Sequence, residues 1–384
     1  MATPEKSVLI FTNCFSPNVG GVETHLDDLT RTLVPRGWQV DVLSLYPLTT
    51  RVPWKRYEET GGLRIRRMWW FGQGWFHVLE KYPPLQFLYL VPRLFWGGFW
   101  WLVAHGGRVR AIHAHGLAAA AAARVLGPLF RKRLVMSSHA VYNLRKGSAL
   151  ERAIGWILRG FDRVIAMSNQ SLQELVDSGV PAEKAGRFSY WIDLNTFEPR
   201  DREQCRQKLS LPKDRFICLF VGRLLAIKGV RVMLEASRDA RFRDVRFVFA
   251  GVGPLEDEVA QAAKAQSNVI FAGNVANKDL VDYYNAADVL CAMPLYQEGF
   301  PRVTLESLGS GLPVIGADCP GVRDATNPEV AWVIPPAAEA FKETLARIVS
   351  NPAEAYARRT VCRKFAEEHY SDRNVEVVER ALLG

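Results

Sequence analysis

Two carboxylates eight positions apart, Glu298 and Glu306, bracket the segment Gly299-Phe300-Pro301-Arg302-Val303-Thr304-Leu305. Gly-Phe-Pro breaks the chain, and the run from Arg302 to Ser310 has helical composition. A helix that starts near Pro301 has its proline in the first turn, where a missing N–H costs little. Its unpaired amides and positive dipole end then face whatever lies beside Glu298. Glu306, about a turn and a half further on, reaches the same crevice from the helix flank. A carboxylate at a helix N-terminus and another behind it suit a ligand with both hydroxyls and phosphates, such as a sugar nucleotide. Two surface glutamates on a solvated helix are the alternative reading of the same nine residues.

Other residues with the right chemistry follow short apolar runs. Gly20 and Gly21 come after Val8–Thr12, where a glycine lets backbone approach a ligand closely or makes a tight turn. Arg223 and Lys228 follow Phe216–Val221. A guanidinium holds two phosphate oxygens at once and an ammonium adds a mobile charge, so the pair can neutralise a diphosphate; solvated cations on a loop are the alternative. Gly251-Val252-Gly253 lacks the third glycine of a dinucleotide fingerprint, since Glu256 stands there. A backbone contact to a nucleotide base suits it better, together with Val275 on the next loop. His139 ends the run Leu134–Ser138. His113 and His115 share one strand face, but no third ligand completes a metal set; they read as cleft lining, with Asn195 as a further acceptor-side candidate, or as a satisfied structural pair.

Short apolar strands alternate with helical runs along the whole chain, which argues for an α/β protein with parallel sheets. At 384 residues it exceeds one ordinary core. The expected divisions are an acceptor-binding domain over 1–198, a nucleotide-binding domain over 199–362, and a C-terminal helical segment over 363–384, of which Asp372–Leu383 crosses back onto the first domain. Phe188–Ile192 is expected as the last strand of the first domain. Six scattered cysteines with no C-x-x-C pair read as buried thiols in a reducing compartment, and the N-terminus lacks the pattern of a signal peptide.

The formal net charge is +9, concentrated in the first half beside Trp69, Trp70, Trp75, Trp96, Trp100 and Trp101. Cations interleaved with aromatics fit nucleic acid or an anionic membrane surface. No base-reading motif is present, so the membrane is preferred. Leu85–Val103 is apolar but contains Pro92, Arg93 and Gly97-Gly98, which favours a helix lying in the interface over one that spans; a helix packed in the core is the alternative.

Taken together, these motifs resemble the retaining GT-B glycosyltransferases of family 4. The matches are the E-x7-E segment, Gly20-Gly21-Val22-Glu23, Val221-Gly222-Arg223-Leu224 with Lys228-Gly229, Ala250 to Leu255, Ala286-Ala287-Asp288, and Gly311 to Ile315. They run in order from about Val8 to Val333. The resemblance implies two Rossmann-like domains whose parallel sheets face across a cleft, and hexose transfer from a UDP- or GDP-sugar to an acceptor hydroxyl. It makes Arg223 and Lys228 the diphosphate binders and Glu306 the ribose carboxylate. Glu298 becomes the donor-sugar contact, aided by the Gly299 and Phe300 amides, and His139 lies near the sugar's C6 side. No obvious nucleophile is present, so the implied reaction is front-face attack, with the leaving diphosphate taking the acceptor's proton. No Asp-x-Asp dyad ends a strand, so neither metal nor cofactor is expected.

Gly321-Val322-Arg323-Asp324, Trp332, and Tyr190 to Asp193 depart from the family pattern and bear on donor-sugar identity. A lipid-linked saccharide or glycolipid, met at the cytoplasmic membrane face during surface-polysaccharide synthesis, is the expected acceptor. The alternatives are a soluble acceptor, a nucleotide-sugar epimerase and a non-catalytic binding protein.

Overall fold

The computed structural model describes residues 4–18, 20–49, 52–72, 74–79, 81–139, 142, 144–296 and 301–384. The chain divides into two compact units, one made of Met1–Tyr190 with Arg373–Gly384 and the other of Trp191–Asp372.

The first unit runs β1 (Ser7–Thr12), α1 (Gly21–Leu33), β2 (Gln39–Leu45), β3 (Tyr57–Thr60), β4 (Leu63–Met68), α2 (Trp75–Leu79), α3 (Pro83–His105), β5 (Ala111–His115), α4 (Leu117–Leu129), β6 (Arg133–Ser138), α5 (Ala149–Arg159), β7 (Arg163–Ala166), α6 (Asn169–Asp177) and β8 (Ala185–Arg187). The strands form one sheet in the order β3-β4-β2-β1-β5-β6-β7-β8. It is parallel except for the β3–β4 hairpin, which turns at Gly61-Gly62. β1 is buried along its whole length, as its unbroken Val-Leu-Ile-Phe run demands of a strand covered on both faces. The stripe Leu26, Leu29 and Leu33 of α1 is buried, and Gly37 ends that helical stretch at φ 86°.

The second unit runs α7 (Arg202–Lys208), β9 (Ile217–Val221), α8 (Val230–Ser237), β10 (Arg246–Ala250), α9 (Glu256–Ala265), β11 (Val269–Gly273), α10 (Leu280–Ala286), β12 (Val289–Ala292), α11 (Arg302–Gly309), β13 (Val314–Ala317), α12 (Pro320–Ala325), β14 (Ala331–Ile334), α13 (Ala338–Ser350) and α14 (Pro352–His369). Its sheet is parallel in the order β11-β10-β9-β12-β13-β14. The chain winds outward from β9 to one edge, then returns to build the other side. The strand order therefore reverses between β9 and β12, the place where open α/β sheets bind ligands. A buried ion pair ties the base of this unit together. Asp288 accepts from Arg206 and from the Ile217 amide, and Arg206 also donates to the carbonyls of Ala286, Lys213 and Arg215.

Three sequence expectations shift. The boundary lies at Tyr190/Trp191 and not at 198/199: Ile192 lies against Gly309, and the Phe197 ring sits 6.0 Å from that of Tyr284, both in the second unit. Arg363 donates to the Leu194 and Phe197 carbonyls and fixes that connector. Phe188–Ile192 is not a strand. The last ladder is β7 with β8, and the Ile192 amide instead bonds to the Tyr370 carbonyl. Residues 363–369 continue α14 within the second unit, and the chain rejoins the first only at Arg373. There α15 (Val375–Leu383) seats Glu379 against Trp38 Nε1 at 2.7 Å and against Arg36 at 3.3 Å. Arg133 Nε donates to the Ala381 carbonyl at 2.8 Å.

Candidate active site

In the second unit, the loops at the carboxyl ends of the central strands are laced into one surface. Gly222 N donates to Ala250 O, Leu224 N to Val252 O, and Gly251 N to Gly273 O. These contacts explain the glycines. A Cβ on Gly251 (φ 143°) would lie 1.9 Å from Gly222 O, and one on Gly253 (φ 156°) 2.8 Å from Leu224 N. On the other side of β9, the Leu295 amide bonds to Ile227 O at 2.8 Å. A Cβ on Gly229 (φ 83°) would strike Met293 O at 2.2 Å. The β9 and β12 loops thus meet at the strand-order reversal.

Arg223 is exposed at this strand end, and Lys228 is half-buried with its Nζ 5.2 Å from the centre of the Tyr296 ring. Val275 is half-buried on the neighbouring β11 loop. Arg223, Lys228, Gly251 and Val275 therefore sit on adjacent loops at one end of one sheet. Glu298, Gly299 and Phe300 lie outside the described residues.

Glu306 sits deeper than its sequence suggests. It is buried on α11, with Oε2 accepting from Tyr284 Oη at 2.9 Å and Oε1 3.2 Å from Arg302 Nε. Arg302 is one helical turn back, so the spacing brings the opposite charges onto one face. Burial and the neighbouring carboxylate push the Tyr284 phenol well above its ordinary pKa, so it remains a donor. The four-residue spacing signals Arg302 in the sequence, but nothing there signals Tyr284, since that contact is made between two helices.

In the first unit, the glycine loop follows β1, the centre of that sheet's own reversal. Arg67 on β4 reaches across to the Ser16 carbonyl through Nε (2.9 Å) and Nη2 (2.6 Å) and anchors the loop. Gly20 precedes α1, and a Cβ there would lie 2.3 Å from Glu23 Oε2, so the glycine makes room for that carboxyl to fold back. Burial raises the Glu23 pKa. A Cβ on Gly21 would meet nothing within 4 Å.

His113, His115 and His139 come together at the ends of β5 and β6. His139 Nε2 lies 2.8 Å from His115 Nδ1, and His139 Nδ1 lies 2.7 Å from Tyr190 Oη. His113 Nε2 lies 2.7 Å from Ser137 Oγ. His25 on α1 packs its ring 4.3 Å from that of Tyr190. Burial drives the imidazole pKa values down, to about 3 for His113 and His139 and well below the ordinary value for His115. The cluster is thus neutral. Both ring nitrogens of His139 are engaged within the unit, so the ring is held in place by its neighbours. Sequence reading missed His25 and Tyr190, because a helix and a strand end meet there only through folding. Asn195 belongs to the second unit, in a turn closed by Asp193, and so does not share a unit with His113 and His115. Among the described residues, no group of three or more His, Cys, Asp or Glu is placed to hold a metal ion.

Sequence models of two families match this chain in tandem: "Glycosyltransferase Family 4" over residues 19–195 and "Glycosyl transferases group 1" over residues 201–369. The chain is a family 4 glycosyltransferase. The fold is GT-B: 98% of this glycosyltransferase superposes on 98% of a sucrose-phosphate synthase from Thermosynechococcus elongatus, with TM-score 0.80 at 20% identity. Similar curated glycosyltransferases include D-inositol 3-phosphate glycosyltransferase 1 of Catenulispora acidiphila, 26% identical over 89% of this chain and 85% of that protein. Another is the putative teichuronic acid biosynthesis glycosyltransferase TuaC of Bacillus subtilis, 31% identical over 62% of this chain and 60% of its own length.

Proposed function

We propose that this glycosyltransferase moves a hexose from a nucleotide diphosphate sugar, UDP- or GDP-linked, to an acceptor hydroxyl with retention at the anomeric carbon and without a metal. The observation that carries this reading is the placement of Arg223 and Lys228 on the loop after β9, at the strand-order reversal. A diphosphate there meets two cations, and negative charge grows on it as the anomeric C–O bond breaks. The acceptor oxygen attacks the same face, and its proton passes to the departing phosphate oxygen. Glycine backbone at 251–253 leaves room for the nucleoside, and Glu306 takes the ribose hydroxyls.

The preferred acceptor is a lipid-linked saccharide or glycolipid for a surface polysaccharide, handled at the cytoplasmic membrane face; similarity to an enzyme named for teichuronic acid biosynthesis supports it. A soluble acceptor is the second reading, favoured by similarity to enzymes named for inositol 3-phosphate. Membership of a glycosyltransferase family sets the epimerase reading aside.

A donor screen scored by nucleotide release tests the reaction. Arg223 is exposed, so Arg223→Ala leaves stability unchanged while kcat/KM for the donor falls by about 100-fold. Undiminished turnover in that variant, or no release from any nucleotide sugar, contradicts the proposal. The anomeric configuration of the product by NMR, and turnover in a chelator, test retention and metal independence.

A further inference from the structure

Helix α3 carries apolar residues on both faces. Its inner face, through Leu90, Leu94, Trp101 and Leu102, is buried in the first unit's core. Its outer face presents Leu85, Leu88, Trp96, Trp100 and Val103, each more than half exposed. A helix with water on one side normally turns polar there; one that is apolar all round belongs in a core or against lipid. By length and composition, residues 83–108 could cross a membrane. Their inner face is already committed to protein, so the helix lies along the unit's surface.

The apolar surface extends beyond α3. Phe99 packs its ring 5.7 Å from Phe130 at the end of α4, where Leu129 is exposed. Arg124 of α4 lies over the Trp156 ring of α5 at 5.4 Å, and Trp156 is also more than half exposed. Three neighbouring helices thus share one facet, larger than the single apolar residues that a surface normally shows.

Charge identifies the occupant. Residues 75–160, which contain α2 to α5, hold twelve Lys or Arg and two Glu. This segment's excess of ten exceeds the whole chain's +9, so the rest of the protein is near neutral. Arg108, Arg131 and Arg152 are exposed around the facet. Beside the end of α3, a recess of about 200 Å³ is lined by Arg66, His105 and Arg108 together with Arg64, which is paired there with Asp41. Two copies of this chain meeting through the facet would bring these cations together. An anionic bilayer neutralises them and accepts tryptophan at head-group depth.

We propose that the outer facet of α3, α4 and α5 docks this protein onto an anionic lipid bilayer, with Trp96 and Trp100 inserted among the head groups and the surrounding arginines on lipid phosphates. The proposal rests on the transferase reading only for where the acceptor is met, and docking is measured without turnover, so the two fail separately. The test is co-sedimentation with vesicles of phosphatidylglycerol and phosphatidylcholine in equal parts, against phosphatidylcholine alone. Wild-type protein sediments with the anionic vesicles and is released by high salt. The exposed-face double variant Trp96→Gln/Trp100→Gln lowers partitioning by about tenfold or more, with an unchanged thermal transition. Charge reversal at Arg108 and Arg131 removes the preference for anionic lipid. Wild-type protein left in the supernatant, double-variant binding equal to wild type, or a dimer that the tryptophan variant dissolves would each overturn the proposal.

Discussion

Glu306 carries two separable demands. Its carboxylate faces Arg302 and accepts from Tyr284 in a buried setting. Glu306→Ala takes away the acceptor of the buried Tyr284 hydroxyl, so urea unfolding should show a loss of about 2 kcal/mol in addition to lost activity. Glu306→Gln keeps the acceptor for Tyr284 and loses less stability. A second outcome at this scale concerns the histidines. Their folded pKa values lie below the unfolded value of about 6.5, so the unfolded chain binds protons first as pH falls. Stability is complete above about pH 6.5 and is lost as pH falls towards 3. Near pH 5 each buried imidazole costs about 2 kcal/mol. Urea titrations at pH 7.5 and 5 read this difference; equal midpoints would contradict a neutral buried cluster.

The β9–α8 connection shows how an element sets a site. Gly229 holds a left-handed conformation against Met293 O, and the Ile227 carbonyl takes the Leu295 amide. Together these fix where Lys228 projects from the loop. Gly229→Ala puts a Cβ where a carbonyl oxygen already sits, in a backbone region that alanine disfavours. It should cost about 1–3 kcal/mol and raise the donor KM by displacing Lys228. Differential scanning calorimetry checks the first effect, and initial rates against donor concentration check the second. An unchanged KM would separate the loop from donor binding.

At the scale of the molecule, the first unit is built from two distant stretches of chain. α15 supplies Glu379 to Trp38 and a carbonyl to Arg133, so β6 and the turn before β2 depend on residues more than 240 positions away. Truncation after Asp372 should raise amide exchange in β5, β6 and α1 while leaving β9 to β13 protected. Uniform protection across the truncated chain would show that α15 adds nothing to the first unit.

The sequence alone determined the α/β class, the main strand runs and the family, because buried parallel strands and glycine-dependent strand ends are local patterns. It also marked Arg223, Lys228 and Gly251 as neighbours in function, and the structure puts them on adjacent loops. Tertiary structure decided what local patterns cannot carry. Pairing between strands separated by a helix set the two sheet orders. Packing between helices gave Glu306 its Tyr284 partner, and convergence of α1, β5, β6 and the chain near Tyr190 gathered the histidines. The unit boundary fell at Tyr190/Trp191 for the same reason: which unit Ile192 and Phe197 pack against depends on three-dimensional neighbours and leaves no mark on composition.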